Sequence, residues 1–419
     1  MPLSADLKRR LYPRLPEIAR HFRTPFHIYD EKGIRDTGAS LKMVFAATRG
    51  FKEFFAVKAL PNPKIMTIMA SMGFGFDCSS VPELLLARQV GAKPDDILFT
   101  SNNTGADDFA AALADGGCIL NLDDISLVAK TPVMPELICF RYNPGDRRGG
   151  NAIIGNPVEA KYGVSHEQIV NAYRLAIGRG AKRFGLHCML ASNELNYRYM
   201  VETVRMLLDV AALVSEALSI RFEFINIGGG LGIPYRPEGE ALDLPALGRE
   251  STDLLRGFME KYGYTPAFYM ESGRYMTGPH GALVTTAINR KEIYRTYIGV
   301  DACMSSLMRP AIYGAYHHID VVGKEDSQER EVVDVVGSLC ENNDKFAIQR
   351  ELPKVDDGDL LVIHDTGAHG QAMGFNYNGK LRPKELLLRQ DGGVELIRRA
   401  ETIADYFATL GFDNDVMAG

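Results

Sequence analysis

Phe54-Phe55-Ala56-Val57 is a short apolar run that ends in Lys58, and Pro61 stops it three residues later. A continuous run of this length is the pattern of a strand buried on both faces. A lysine closing such a strand loses the solvation of its ammonium, which lowers its pKa and frees the amine to condense with an aldehyde. The same pattern also fits a surface lysine. In Asn226-Ile227-Gly228-Gly229-Gly230-Leu231-Gly232 a glycine triplet follows directly on another apolar run. Glycines there let main-chain N–H groups crowd around an anion such as phosphate, or make a tight turn. The spacing is neither a dinucleotide fingerprint nor a P-loop. Met270-Glu271-Ser272-Gly273-Arg274 adds a carboxylate able to keep a ring nitrogen protonated. Its arginine can grip a carboxylate or phosphate through two N–H groups, unless the two simply pair at a rim. Cys340-Glu341 offers a thiol that either donates a proton or packs in a core. Tyr377 offers a phenol in a turn.

These residues need elements to hold them. Between about Pro25 and Val284, apolar runs at 54–57, 73–77, 96–100, 118–122, 137–141, 184–190, 222–227 and 267–271 alternate with helical patterns. Eight strands alternating with helices over about 250 residues predict an α/β fold, a (β/α)8 barrel. Chemistry in that architecture sits at the C-terminal strand ends. Here those ends hold Lys58, Asp77, Arg141, His187 to Ser192, Gly228, Gly229, Gly230 and Glu271 to Arg274. From about Gly281 the runs at 281–288, 297–300, 317–322, 332–336 and 360–364 are short and mostly β-branched, which predicts an all-β C-terminal domain. His27-Ile28-Tyr29-Asp30 is expected to join that domain from the other end of the chain, and 395–410 is expected to contain one helix. The expected divisions are 1–35, 36–284 and 285–419.

Composition bounds the function. A chain of 419 residues suggests about two or three domains. Its net charge of −6 leaves no footprint for nucleic acid or an anionic membrane. No apolar run approaches the roughly 20 residues of a spanning helix, and Met1 to Arg23 lacks the features of a signal peptide. Six scattered cysteines without a CxxC pair suggest reduced thiols in the cytoplasm, with no disulfide framework and no metal site.

Taken in order, Ala56-Val57-Lys58-Ala59, Phe76-Asp77-Cys78-Ser79-Ser80, Asn226-Ile227-Gly228-Gly229-Gly230, Glu271-Ser272-Gly273-Arg274, Arg309-Pro310-Ala311-Ile312-Tyr313, Gly337-Ser338-Leu339-Cys340-Glu341 and Tyr377-Asn378 resemble one family. It is the alanine-racemase-fold, pyridoxal-phosphate-dependent amino acid decarboxylases (fold type III), and within it the diaminopimelate decarboxylases. The resemblance runs from about Pro25 to Arg399. It implies that Lys58 carries the cofactor, pyridoxal 5'-phosphate, and that Glu271 faces its ring nitrogen. Gly228, Gly229, Gly230, Ser192 and Tyr377 would hold the phosphate, with Gly273 and Arg274 near the cofactor; the strand-end positions of Asp77, Arg141 and His187 are expected to bring them there as well. Arg274, Arg309, Tyr313, Glu341 and Tyr377 match substrate-binding positions. Two arginines and a glutamate suit a distal group that is itself an amino acid. Cys340 would return the proton. The family also implies a homodimer with shared active sites, Cys340 and Glu341 coming from the partner.

Four stretches depart from the family pattern. Met189-Leu190-Ala191-Ser192 replaces His-Ile-Gly-Ser, and Lys58-Ala59-Leu60 replaces Lys-Ala-Asn. Gly367-Ala368-His369 stands for Gly-Ala-Tyr, and Cys340-Glu341-Asn342-Asn343-Asp344 for Cys-Glu-Ser-Gly-Asp. On an extended strand His187 shares a face with Met189, so it either serves in the missing histidine's place or packs inside the barrel. The implied reaction is decarboxylation of meso-diaminopimelate to L-lysine. Its rivals are a sister decarboxylase acting on carboxynorspermidine, ornithine or arginine, a racemase, and a non-catalytic cofactor-binding regulator. A racemase needs a second base, and the Cys340-Glu341 segment argues against it.

Overall fold

The computed structural model describes residues 3–411; residues 1–2 and 412–419, parts of the expected N-terminal segment and β-domain, lie outside the described residues. The chain forms two compact units. One comprises Arg35–Ile233 and Ala241–Met276; the other comprises the described residues up to Ile34, Pro234–Glu240, and those from Thr277 onward.

The first strand, β1 (Phe26–Asp30), belongs to the second unit. The next eight make a closed parallel barrel: β2 (Lys52–Ala56), β3 (Gly75–Cys78), β4 (Ile97–Phe99), β5 (Ile119–Leu122), β6 (Leu137–Arg141), β7 (Arg183–His187), β8 (Phe222–Asn226) and β9 (Ala267–Met270), which pairs back onto β2. These are the eight expected strands, with ends shifted by up to three residues. The barrel fills with side chains from alternating strand positions, among them Phe54, Leu98, Ile119, Cys139 and Phe224. Its helices carry their own start signals. Asn62 accepts from the Lys64 amide, Asn196 from that of Arg198 and Asp243 from that of Ala246, each satisfying an N–H that the helix leaves unpaired.

The second unit is built on a mixed sheet. Its remaining strands are β10 (Gly281–Glu292), β11 (Thr296–Val300), β12 (Ile319–Val321), β13 (Arg330–Val336), β14 (Lys345–Pro353), β15 (Leu360–Ile363), β16 (Lys384–Leu388) and β17 (Val394–Arg398). The main path runs β14-β13-β11-β10-β1-β16-β17, with β12 and β15 on a branch from β10. As expected, β1 joins this sheet, antiparallel to β10 and parallel to β16. Leu7, Leu11, Leu15 and Ile18 from the two N-terminal helices pack with Phe26, Ile28, Val284 and Leu386.

One expectation is met and one needs correction. The helix expected within 395–410 is Ile403–Phe407, started by Thr402; before it the chain forms β17, which pairs antiparallel with β16. The edge of β16 gives Val394–Arg398 main-chain hydrogen-bond partners, with an irregularity between Glu385 and Leu386. The boundary drawn at 284 cuts through β10; the barrel unit ends at Met276. No helix among the described residues is long and apolar enough to cross a membrane.

Candidate active site

The chain leaves β2 at Ala56 and turns once through Val57–Ala59, so Lys58 lies just beyond the strand. Its side chain is 48% exposed, which corrects the expectation of a lysine buried by its own strand. A side chain on the turn projects past the layer of packed residues. Lys58 Nζ lies 3.8 Å from Oδ2 of Asp77, on the neighbouring strand β3, and Asp77 is buried. Burial and the charge of Glu271 push the Asp77 carboxyl up to about 7, against the pull of Lys58.

Glu271 follows β9 directly and is buried. Asn226 Nδ2, at the end of β8, donates to its Oε1 across 2.7 Å. His187, at the end of β7, has its Nε2 3.2 Å from Oε2. A carboxylate can only accept, so Nε2 carries the hydrogen; Nδ1 has no partner among the described residues. Burial holds the imidazole below its ordinary pKa, which keeps the ring neutral. Burial acts to raise Glu271, but His187, Lys58 and Arg141 outweigh it and hold the carboxyl below the usual range. Glu271 is therefore ionised at neutral pH.

Asn226 also accepts from the Gly228 amide across 2.9 Å, so one side chain ties the glycine loop to Glu271. The loop adopts left-handed angles at Gly228 (φ 69°) and Gly230 (φ 106°), which glycine accepts without strain. The Gly229 amide lies 3.3 Å from Met189 Sδ, which puts the substituted position against the loop. The Ser192 amide donates to Asn151 Oδ1, and Arg274 Nη2 lies 3.4 Å from Ser192 Oγ. Arg141 is buried, 3.2 Å from Asp123 and with its guanidinium over the Tyr162 ring. Gly273 opens the helix Gly273–Thr277 and lets it meet the Val57–Ala59 turn: a Cβ there would lie 2.7 Å from that of Ala59, beside Lys58.

Lys58, Asp77, Arg141, His187, Ser192, Gly228, Gly229, Gly230, Glu271, Gly273 and Arg274 thus all lie in the barrel unit, at or just beyond strand ends. The other five expected residues lie in the second unit. Arg309 is buried and opens the helix Arg309–Tyr313, while Tyr313 is exposed. Cys340 and Glu341 lie in the loop after β13, with the Cys340 thiol free and its residue exposed. Its amide donates to Asn378 Oδ1 across 2.7 Å, which joins this loop to the turn Tyr377–Gly379. Sequence reasoning missed Asn226 and Glu53 as site residues. Glu53 is buried in β2 and accepts from the Ser272 amide across 2.5 Å. An Asn two residues before a glycine triplet is a turn signal that could have found the first. A carboxylate inside an apolar strand was the signal for the second.

An amine, a carboxylate kept ionised for a ring N–H, and a glycine loop with Ser192 and Arg274 for an anion form the donor set that a phosphorylated pyridine aldehyde requires, and these residues fit it. The chain belongs to the pyridoxal-dependent decarboxylases: the family described as "Pyridoxal-dependent decarboxylase, pyridoxal binding domain" matches residues 34–278. It is a carboxy-lyase whose cofactor is pyridoxal phosphate. It is 46% identical to Protein TabA of Pseudomonas amygdali pv. tabaci, over 97% of this chain and 96% of that one. It is 38% identical to the diaminopimelate decarboxylase of Methanothermobacter thermautotrophicus, over 93% and 92% of the two chains. The crystal structure of diaminopimelate decarboxylase from M. jannaschii in co-complex with L-lysine superposes with a TM-score of 0.88, at 29% identity, over 95% of this chain and 94% of that one.

Proposed function

We propose that this enzyme decarboxylates meso-2,6-diaminopimelate to L-lysine and carbon dioxide, the last step of lysine biosynthesis, in the cytoplasm. When bound, pyridoxal phosphate supplies an aldehyde that condenses with amines and a ring that accepts the electron pair released by the departing carboxylate. Lys58 Nζ is the amine that anchors it and yields to the substrate amine. Asp77 beside Lys58 takes or returns that amine's proton. Glu271, held ionised, accepts the ring N–H, and Gly228, Gly229, Gly230, Ser192, Arg274 and Tyr377 bind the phosphate. As the bond from Cα to the carboxylate breaks and carbon dioxide leaves, Cys340 Sγ gives its proton to Cα and regains one from solvent. Arg309, Tyr313 and Glu341 bind the distal amino acid group, the arginine taking its carboxylate and the glutamate its ammonium. The active form is a homodimer in which Cys340 and Glu341 serve the partner's barrel.

The observation that carries this reading is the Asn226–Glu271–His187 cluster at the same strand ends as Lys58, with the glycine loop attached to it. The diaminopimelate decarboxylases among the relatives favour the substrate. A second reading, a sister decarboxylase acting on another carboxylated amine, draws on Met189 at the glycine loop and on the 46% likeness to a protein whose name states no substrate. Loaded protein is incubated with meso-diaminopimelate, and separately with carboxynorspermidine, L-ornithine and L-arginine, while carbon dioxide and the amine product are quantified. Lysine release from the first alone supports the proposal. Faster turnover of any other substrate replaces it, and carbon dioxide from none of the four overturns both readings.

A further inference from the structure

We propose that His317 is a positioning residue for the substrate: its imidazole, fixed in one neutral tautomer by the main chain, sets the place and plane of the Arg309 guanidinium. This rests on the reading above that Arg309 binds the distal carboxylate.

His317 is fully buried, and its Nδ1 lies 2.7 Å from the main-chain oxygen of His364. A carbonyl only accepts, so Nδ1 bears the hydrogen and Nε2 of the neutral ring presents a lone pair. That lone pair meets Arg309 Nη1 at 3.0 Å, and a guanidinium only donates. The ring therefore reads the arginine through one defined atom. Tyr235 closes a second side: the Arg309 Cζ sits 4.6 Å from its ring centroid, and the same ring meets His317 edge-on at 5.2 Å and 71°. A stacked face plus an in-plane acceptor fixes both the tilt and the rotation of a planar fork.

The support behind His317 is also specified. Arg350 Nη1 donates to the His317 carbonyl across 3.0 Å. His364, whose carbonyl sets the tautomer, has its own Nε2 3.0 Å from Asp320 Oδ2, and Tyr12 donates to the same oxygen across 2.6 Å. An imidazole at this position orients the arginine without cancelling its charge, as a carboxylate would. A second proton on His317 would set two N–H donors against each other, so only the neutral ring performs this task.

Two substitutions separate positioning from bulk packing. His317→Asn keeps an amide N–H for the His364 carbonyl and has no atom at the Nε2 position. His317→Gln offers a carbonyl oxygen to Arg309. Both are purified with cofactor, checked for its absorbance, and assayed on meso-diaminopimelate beside Arg309→Ala and the double variant Arg309→Ala/His317→Asn. The expected result is a KM about tenfold higher for His317→Asn, the scale of a lost hydrogen bond to a charged group, with kcat changed far less. His317→Gln should recover most of that loss, and the double variant should be no worse than Arg309→Ala alone. An unchanged KM for His317→Asn beside a raised one for Arg309→Ala overturns the role of His317. So does a loss confined to kcat, or one equal in the Asn and Gln variants. An unchanged KM for Arg309→Ala instead overturns the reading of Arg309 itself. Should His317→Asn fail to fold, a His317→Gln enzyme with wild-type absorbance and a KM as high as that of Arg309→Ala overturns the proposal.

Discussion

At the scale of single residues, the barrel site holds titratable groups, the buried Asp77, His187 and Glu271 among them, whose states depend on one another. Asp77 titrates near 3.8 when unperturbed and near 7 in the folded chain. Between those values the folded protein holds a proton that the unfolded chain has lost, so this group's contribution falls as pH rises from about 4 to about 7. Asp77→Asn removes the titration. In cofactor-free protein, the variant's Tm relative to the parent should therefore climb across that interval, as read by thermal melts at several pH values. A constant difference would mean that Asp77 is not the group responsible. Asn226 carries a different load, since it serves the Glu271 carboxylate and the Gly228 amide together. Hydrogen bonds to charged groups are worth about 1.5–3 kcal/mol, so Asn226→Leu should lower stability by at least about 2 kcal/mol in urea titration. Its activity should fall further than its stability, because Glu271 and the glycine loop lose the same support.

At the scale of elements, the contact between the Val57–Ala59 turn and the helix start at Gly273 holds Lys58 near Glu271. A Cβ at 273 would press on those of Ala59 and Ala56 at 2.7 and 3.1 Å. Gly273→Ala should cost about 1–3 kcal/mol by overpacking and should lower kcat by a larger factor than its Tm loss explains, measured on cofactor-loaded protein. The eight barrel strands were legible because each is an apolar run bounded by turn residues, the pattern that burial on both faces imposes. The barrel residues proposed for the site were picked out for the same reason, standing where each run breaks into polar and glycine residues. The exposure of Lys58 was not legible, because one residue of turn after Ala56 decides it and no periodicity records a single turn. Nor was β17: Val394 to Arg398 owes its strand state to the edge of β16, a partner it meets only in the folded chain. His187 and Asn226 end two different strands and Glu271 directly follows a third. Motif order brought their neighbourhoods together on the page, and only the barrel supplied the distances.

At the scale of the molecule, the proposal divides one active site between two chains, which makes a quantitative demand. The loop bearing Cys340 and Glu341 lines a groove of the second unit with Ile288 and Ile293, both exposed apolar side chains. Under the proposal, a two-fold dimer would bury the same patch on both copies. Lys58→Ala removes the anchoring amine, and Cys340→Ala removes a proton donor whose loss costs about 10²–10⁴-fold. Each homodimer should then be nearly inactive. When the two are co-expressed, about half of the dimers are mixed, and each mixed dimer holds one site with both defects and one with neither. Activity should therefore return to about a quarter of the parent's per total protein, with carbon dioxide release as the readout. Differently tagged chains allow the mixed dimer to be isolated, and its specific activity should be about half the parent's. Recovery no greater than the sum of the two single variants would mean that each chain completes its own site, and Cys340 would have to act on the barrel of its own subunit.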